Sequence, residues 1–158
     1  MSGDTQRIAR ITLDEHTVVR RSADIEHERA TAIADLLEEN CFAPASGRGG
    51  PFHLHLAIEE NRLILDIRTP ADGSNEAITL PLAPFRGIVK DYFMVCGSYY
   101  QAVRRSGVAQ IEAIDVGRRS LHDEGSRLLM ERLADKVAID HDTARRLFTL
   151  ICVLHLRG

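Results

Sequence analysis

The sequence predicts an α+β fold in which a small antiparallel sheet of three or four strands packs against four or five helices, the last of them buried. Three observations carry this. Leu54, Leu56 and Ile58 alternate with His53, His55 and Ala57, and Leu63, Leu65 and Ile67 alternate with Arg62, Ile64 and Asp66, the period of half-buried strands. Phe85, Ile88, Val89, Tyr92, Phe93, Cys96, Tyr99, Tyr100 and Val103 keep the three-four spacing of a helix with one apolar stripe. Leu147 to Leu156 is apolar on nearly every side, and a helix with no wet face is buried. Ten such residues span about 15 Å, half a hydrocarbon core, so this is a central helix and not a membrane span.

In chain order, Arg7 to Leu13 reads as a short strand, and Ser22 or Asp24 can cap the helix that runs to about Asn40. Ile25, Ala32, Ile33, Leu36 and Leu37 make its dry stripe, while Glu26, Glu28, Asp35, Glu38 and Glu39 leave the rest acidic. The Gly/Pro-rich stretch from Ala43 to Pro51 reads as a loop. Glu60-Asn61 turns the first hairpin, Thr69 to Asn75 makes a second turn, and Ile78, Leu80 and Leu82 form a third strand, giving an antiparallel meander. Pro84 fits the first turn of the next helix, which Arg104-Arg105-Ser106-Gly107 closes with cations at its negative pole. A further helical region runs from Val108 to Leu133 with a possible break at Gly117, Val137 to Ile139 is a short strand, and Asp142 is placed to cap the buried last helix.

The 158 residues read as one globular domain, 1–158, long enough to close a core without a metal or disulfide staple. Cys41, Cys96 and Cys152 are odd in number and widely spaced, as free thiols in a reducing, cytoplasmic compartment would be. No stretch is long and apolar enough to span a membrane. The net charge of −3 hides an asymmetry: residues 1–82 carry 8 basic and 14 acidic side chains, residues 83–158 carry 12 and 9. Of the 20 basic residues 18 are arginine, the cation suited to forked contacts with carboxylate or phosphate.

Asp24-Ile-Glu-His-Glu-Arg-Ala30, Pro84-Phe-Arg with Val89-Lys-Asp-Tyr-Phe93, Gly117-Arg-Arg with Leu121-His-Asp-Glu-Gly125, and Asp142-Thr-Ala-Arg-Arg-Leu-Phe-Thr-Leu150 with Val153-Leu-His155 form four ordered blocks. Together they resemble an uncharacterised family of short bacterial proteins, over nearly the whole chain from about Ile11 to Gly158. The resemblance implies a stand-alone bacterial domain and brings no activity, cofactor or catalytic residue with it.

Two clusters stand out. Arg118 and His122 lie four apart on one helical face, a guanidinium beside an imidazole that can clamp an anion and serve as acid or base near neutrality, with Arg119 and Asp123 as a surface pair beside them. Arg145 and Arg146 fall near the start of the last helix, where the dipole disfavours cations. Something anionic is therefore expected to meet them, either a ligand or a structural ion-pair network with Glu26 or Glu28. Gly117 and Gly125 flank the Arg118 cluster, admitting either a ligand or a neighbouring helix. His53 and His55 share a strand face, but with only Asp66 as a distant third ligand they read as solvated histidines, and no metal is assigned. Cys152 and His155 sit on the buried helix, where packing outweighs a nucleophile pair. Tyr92, Phe93, Tyr99 and Tyr100 fall on an apolar stripe and so do not form an exposed stacking platform.

These readings favour a cytoplasmic, non-catalytic binding or regulatory module whose partner is another protein or a second copy of itself. No cofactor or catalytic residue is assigned, and the balance leans away from an enzyme. The alternative is a small enzyme or sensor that holds a phosphorylated or carboxylate metabolite through Arg118, His122, Arg145 and Arg146. A third, RNA binding through the basic second half, ranks lower for want of exposed aromatics.

Overall fold

The computed structural model describes residues 5–14, 23–105 and 107–155. In chain order the elements are β1 (Ile8–Leu13), α1 (Ala23–Glu38), β2 (Phe42–Pro44), β3 (Phe52–Glu59), β4 (Arg62–Thr69), β5 (Ser74–Pro81), α2 (Ala83–Arg105), α3 (Val108–Leu133), β6 (Val137–Ile139) and α4 (His141–His155). The class is α+β, with four helices, a four-stranded sheet in the order β1-β3-β4-β5 and a separate pair of β2 with β6.

The sheet follows from alternation and turn chemistry. Glu60 and Asn61 both take positive φ, 50° and 64°, the mirror-image turn that matches the twist of a two-residue hairpin. That turn fixes the register: Leu54 faces Ile67, Leu56 faces Leu65 and Ile58 faces Leu63, and all but Ile58 are buried. At the next turn the Asp72 carboxylate accepts the Ser74 amide at 2.9 Å and Gly73 takes φ 73°, leading β5 back antiparallel to β4. The expected meander is thus β3-β4-β5. β1 departs from it. Because α1 carries the chain back before β3 begins, β1 joins the far edge of β3 in parallel, as strands linked through a helix do.

Asn40 joins α1 to that edge. Its Nδ2 donates to the Leu36 carbonyl at 2.8 Å and the Ile8 carbonyl at 2.9 Å, while its Oδ1 accepts the Ile8 amide at 2.7 Å. One amide side chain therefore ends the helix and pairs with the start of the strand. At the other end of α1, Ser22 lies outside the described residues, and Asp24 is the second residue of the helix, bound to Arg104 at 2.9 Å.

Two further expectations are corrected. The first two residues of the Gly/Pro-rich loop, Ala43 and Pro44, belong with Phe42 to β2, which pairs antiparallel with β6, Phe42 opposite Ile139 and Pro44 opposite Val137. α3 runs unbroken through Gly117, since a glycine that no neighbour crowds costs a helix only about 1 kcal/mol.

α4 is the centre. Every residue from Thr143 to Leu154 except Arg145 and Arg146 is buried, and the helix packs on α1, α2, α3 and β3. Its N-terminus is capped two residues earlier than expected. Asp140 Oδ1 accepts the Thr143 amide at 2.9 Å, and its carbonyl takes the Ala144 amide at 3.0 Å. Asp142 instead lies inside the helix, exposed. Thr143 is fixed in turn by the Cys41 amide, which donates to its Oγ1 at 3.0 Å. Where α3 meets α4, a Cβ on Gly125 would lie 2.2 Å from Phe148 Cζ, so glycine sets the approach of the two helices. Among the described residues no helix is long and apolar enough to cross a membrane.

Candidate anion-binding cleft

All four helices contribute to one cleft of about 230 Å³. From α1 come Glu28, Thr31, Ala32 and Asp35, a stripe at three-four spacing; from α2, Tyr92; from α3, Arg118, Arg119 and His122; from α4, Arg145, Arg146 and Thr149. Arg118, His122, Arg145 and Arg146, singled out on two separate sequence blocks, thus line the same space. The reason is α4's register. Between Thr143 and Leu154 its residues are buried on all sides, and only Arg145 and Arg146 in that stretch are left unburied.

The two pairs of cations are held differently. Asp115 sits one turn before Arg118 and Arg119 and takes one on each oxygen: Arg118 Nη2 at 2.7 Å on Oδ1 and Arg119 Nε at 3.1 Å on Oδ2. Arg118 also lies 4.9 Å from the centre of the Tyr99 ring, a cation over an aromatic face. Although burial opposes its charge, the hydrogen bonds to Asp115 raise its pKa still further. On α4, Arg145 Nη1 stands 3.8 Å from Asp142 Oδ1, and Arg146 Nη1 donates to the Asp142 carbonyl at 3.4 Å. Asp142, in the first turn, so answers the dipole and its neighbour together. Arg145 and Arg119 are largely exposed, Arg118 only by a quarter.

His122 closes the floor. Its ring packs on Tyr92 and Phe148 with centroids 5.3 and 5.4 Å apart, and its Nε2 is 2.7 Å from Thr149 Oγ1. The Thr149 hydroxyl also reaches the Arg145 carbonyl at 3.2 Å, and its one proton serves either that carbonyl or the imidazole according to the tautomer of His122. Burial, with Arg145 and Arg118 nearby, pushes the imidazole down to about 4. His122 is therefore neutral at pH 7, a correction to its expected titration near neutrality.

The acidic wall lies opposite. Glu28 Oε1 accepts the Tyr100 hydroxyl at 2.7 Å, and that hydroxyl's pKa is raised by burial and by this bond. Glu28 shares the cleft with Arg145 and Arg146, yet among the described residues no ion pair joins them. Glu26 is exposed and outside the lining.

The other clusters serve structure. Asp123 pairs with Arg127 at 2.8 Å and His141 at 2.9 Å, not with Arg119, which Asp115 takes. His53 and His55 are half-buried rather than solvated, both rings meeting the Thr12 hydroxyl, at 2.9 and 2.6 Å. Asp66 receives Arg68 and Asn75 at 3.0 Å each, and among the described residues no three His, Cys, Asp or Glu side chains cluster to hold a metal. Burial raises Cys152 well above its ordinary pKa and lowers His155. Thr31, Ala32, Asp35, Tyr92 and Thr149 are the lining residues not read as site residues from sequence. Asp35 was readable, falling seven residues after Glu28 on one face; Thr149 stood out only as a hydroxyl within an apolar run.

A family profile matches residues 5–157. The chain belongs to the uncharacterised protein family UPF0262. It is 60% identical over 155 residues to a UPF0262 protein of Rhodospirillum rubrum, covering 98% of this chain and 96% of that one. A UPF0262 protein of Nitrobacter winogradskyi is 59% identical over 152 residues, covering 96% and 91%. One of Rhodopseudomonas palustris is 60% identical over 151 residues, covering 96% and 93%. The family is bacterial and carries no assigned function, and no solved structure matches the chain.

Proposed function

We propose that this UPF0262 protein is a non-catalytic binding module whose four-helix cleft holds a small anionic metabolite, phosphorylated or carboxylate. The observation that carries the reading is the convergence of Arg118, Arg119, Arg145 and Arg146, from two helices, on one cleft with a neutral imidazole at its floor. Guanidinium groups from two directions supply forked donors to the oxygens of phosphate or carboxylate. The volume lies below the roughly 300–1,000 Å³ of drug-sized sites, which suits a metabolite and not a macromolecular chain. The exposed Cys41 thiol fits a reducing cytoplasm.

A thermal-shift and calorimetric series with inorganic phosphate, pyrophosphate and citrate tests this. Stabilisation of about 2.7 kcal/mol is expected at a hundredfold excess over Kd, and it should vanish in Arg118→Gln. No shift with any of the three at millimolar concentration would overturn it.

A second reading, docking to a protein partner or a second copy, is favoured by the exposure of Val103, Val108 and Val116 around the α2–α3 turn. RNA binding loses its stacking platform, because Tyr92 is buried and the other three rings are half-buried.

A further inference from the structure

The cleft has two faces of opposite sign. Glu28 and Asp35 stand two turns apart on α1, while Arg118, Arg119, Arg145 and Arg146 stand on α3 and α4 across from them. Among the described residues no ion pair crosses the gap. Glu28 is anchored by Tyr100, and the arginines are drawn back by Asp115 and Asp142 on their own helices. Opposite charges held apart on rigid helices keep their attraction available to a third body. A plain anion would gain the arginines and be repelled by the two carboxylates. A ligand with a cation at its other end gains both walls.

We propose that the metabolite of this cleft is dipolar, a small molecule with a phosphate or carboxylate at one end and an ammonium group at the other, the anion on the arginine wall and the ammonium on Glu28 and Asp35. This rests on the anion-binding reading above and narrows its ligand class. Half-buried carboxylates suit an ammonium, which brings its own donors, better than a hydroxyl, which brings one.

The experiment is calorimetric titration of the full chain with two matched pairs: phosphoethanolamine against ethyl phosphate, and 4-aminobutyrate against butyrate. The pairs separate phosphate from carboxylate as the anion, and within each pair only the ammonium matters. At least tenfold tighter binding of the ammonium-bearing member is expected in one pair. In Glu28→Gln/Asp35→Asn, which preserves size, that preference should fall to near unity while the anion without ammonium binds as well or better. The single Asp35→Asn, which leaves the Tyr100 contact intact, should lose part of it. Equal binding within both pairs, or a preference that survives in the double variant, would overturn the dipolar assignment and leave anion binding standing. No binding of any of the four compounds would remove both.

Discussion

His122 Nε2 and Thr149 Oγ1 share a hydrogen bond of 2.7 Å that joins α3 to α4 at the floor of the cleft. The folded chain keeps this imidazole neutral down to about pH 4, against an ordinary value of 6.5. Between those values the unfolded chain binds more protons than the folded one, so stability drops as the pH is lowered. The loss begins near pH 6.5, continues to about pH 4 and then levels, reaching on the order of 2–3 kcal/mol. Above pH 6.5 this group gives no slope. Chemical denaturation of wild type and His122→Gln at pH 7 and pH 4.5 checks it, with a smaller loss expected in the variant; equal losses would exclude His122 as the source.

Asp140 and not Asp142 should matter for the start of α4. Although burial works against its charge, the Thr143 hydrogen bonds keep the Asp140 carboxyl below its ordinary pKa. Asp140→Ala is expected to cost about 1 kcal/mol, and Asp142→Ala, at an exposed site, less than half of that. The midpoints of urea denaturation for the two variants give the order directly.

Gly125→Ala should destabilise by about 1–3 kcal/mol, because the new methyl meets the Phe148 ring and two packed helices must part. Gly117→Ala, with nothing near its Cβ position, should be neutral or stabilising by up to about 1 kcal/mol. If shortening the ring is what relieves the clash, Gly125→Ala/Phe148→Leu will recover part of the loss, visible as a non-additive thermal midpoint.

Asn40→Ala removes three hydrogen bonds to backbone groups of Ile8 and Leu36. A loss of about 2–3 kcal/mol is expected, with amide exchange at Ile8 accelerated more than exchange at Leu54 in the middle of the sheet. Uniform acceleration would mean that Asn40 does not tie the edge strand locally.

The parts legible in sequence were those written in period. Leu54 to Ile67 alternates, Phe85 to Cys96 recurs every third or fourth residue, and Leu147 to Leu154 has no polar face, so hairpin, long helix and central helix were each encoded locally. β2 was not, because Phe42-Ala43-Pro44 is too short to show a period and becomes a strand only when β6 arrives from nearly a hundred residues on. Direction of pairing was equally hidden. Nothing in Ile8 to Leu13 says that β3 will lie parallel to it; the helix between them decides. In the cleft, Arg118, His122, Arg145 and Arg146 were visible as misfits to their local helices. Their company was not, although Asp115 at three and four residues before Arg118 and Arg119 carried a readable signal.

The position of α4 bears on how the chain comes into being. A ribosome delivers α1, the sheet, α2 and α3 first, yet each of them rests on a helix that has not been made. Until the residues around Phe148 and Leu154 emerge, the nascent chain holds open the apolar faces that α4 will fill, in the state most prone to stray association. Folding of this protein therefore waits on α4, and chains stalled before residue 141 should be substrates for chaperones and proteases while chains that carry α4 are not.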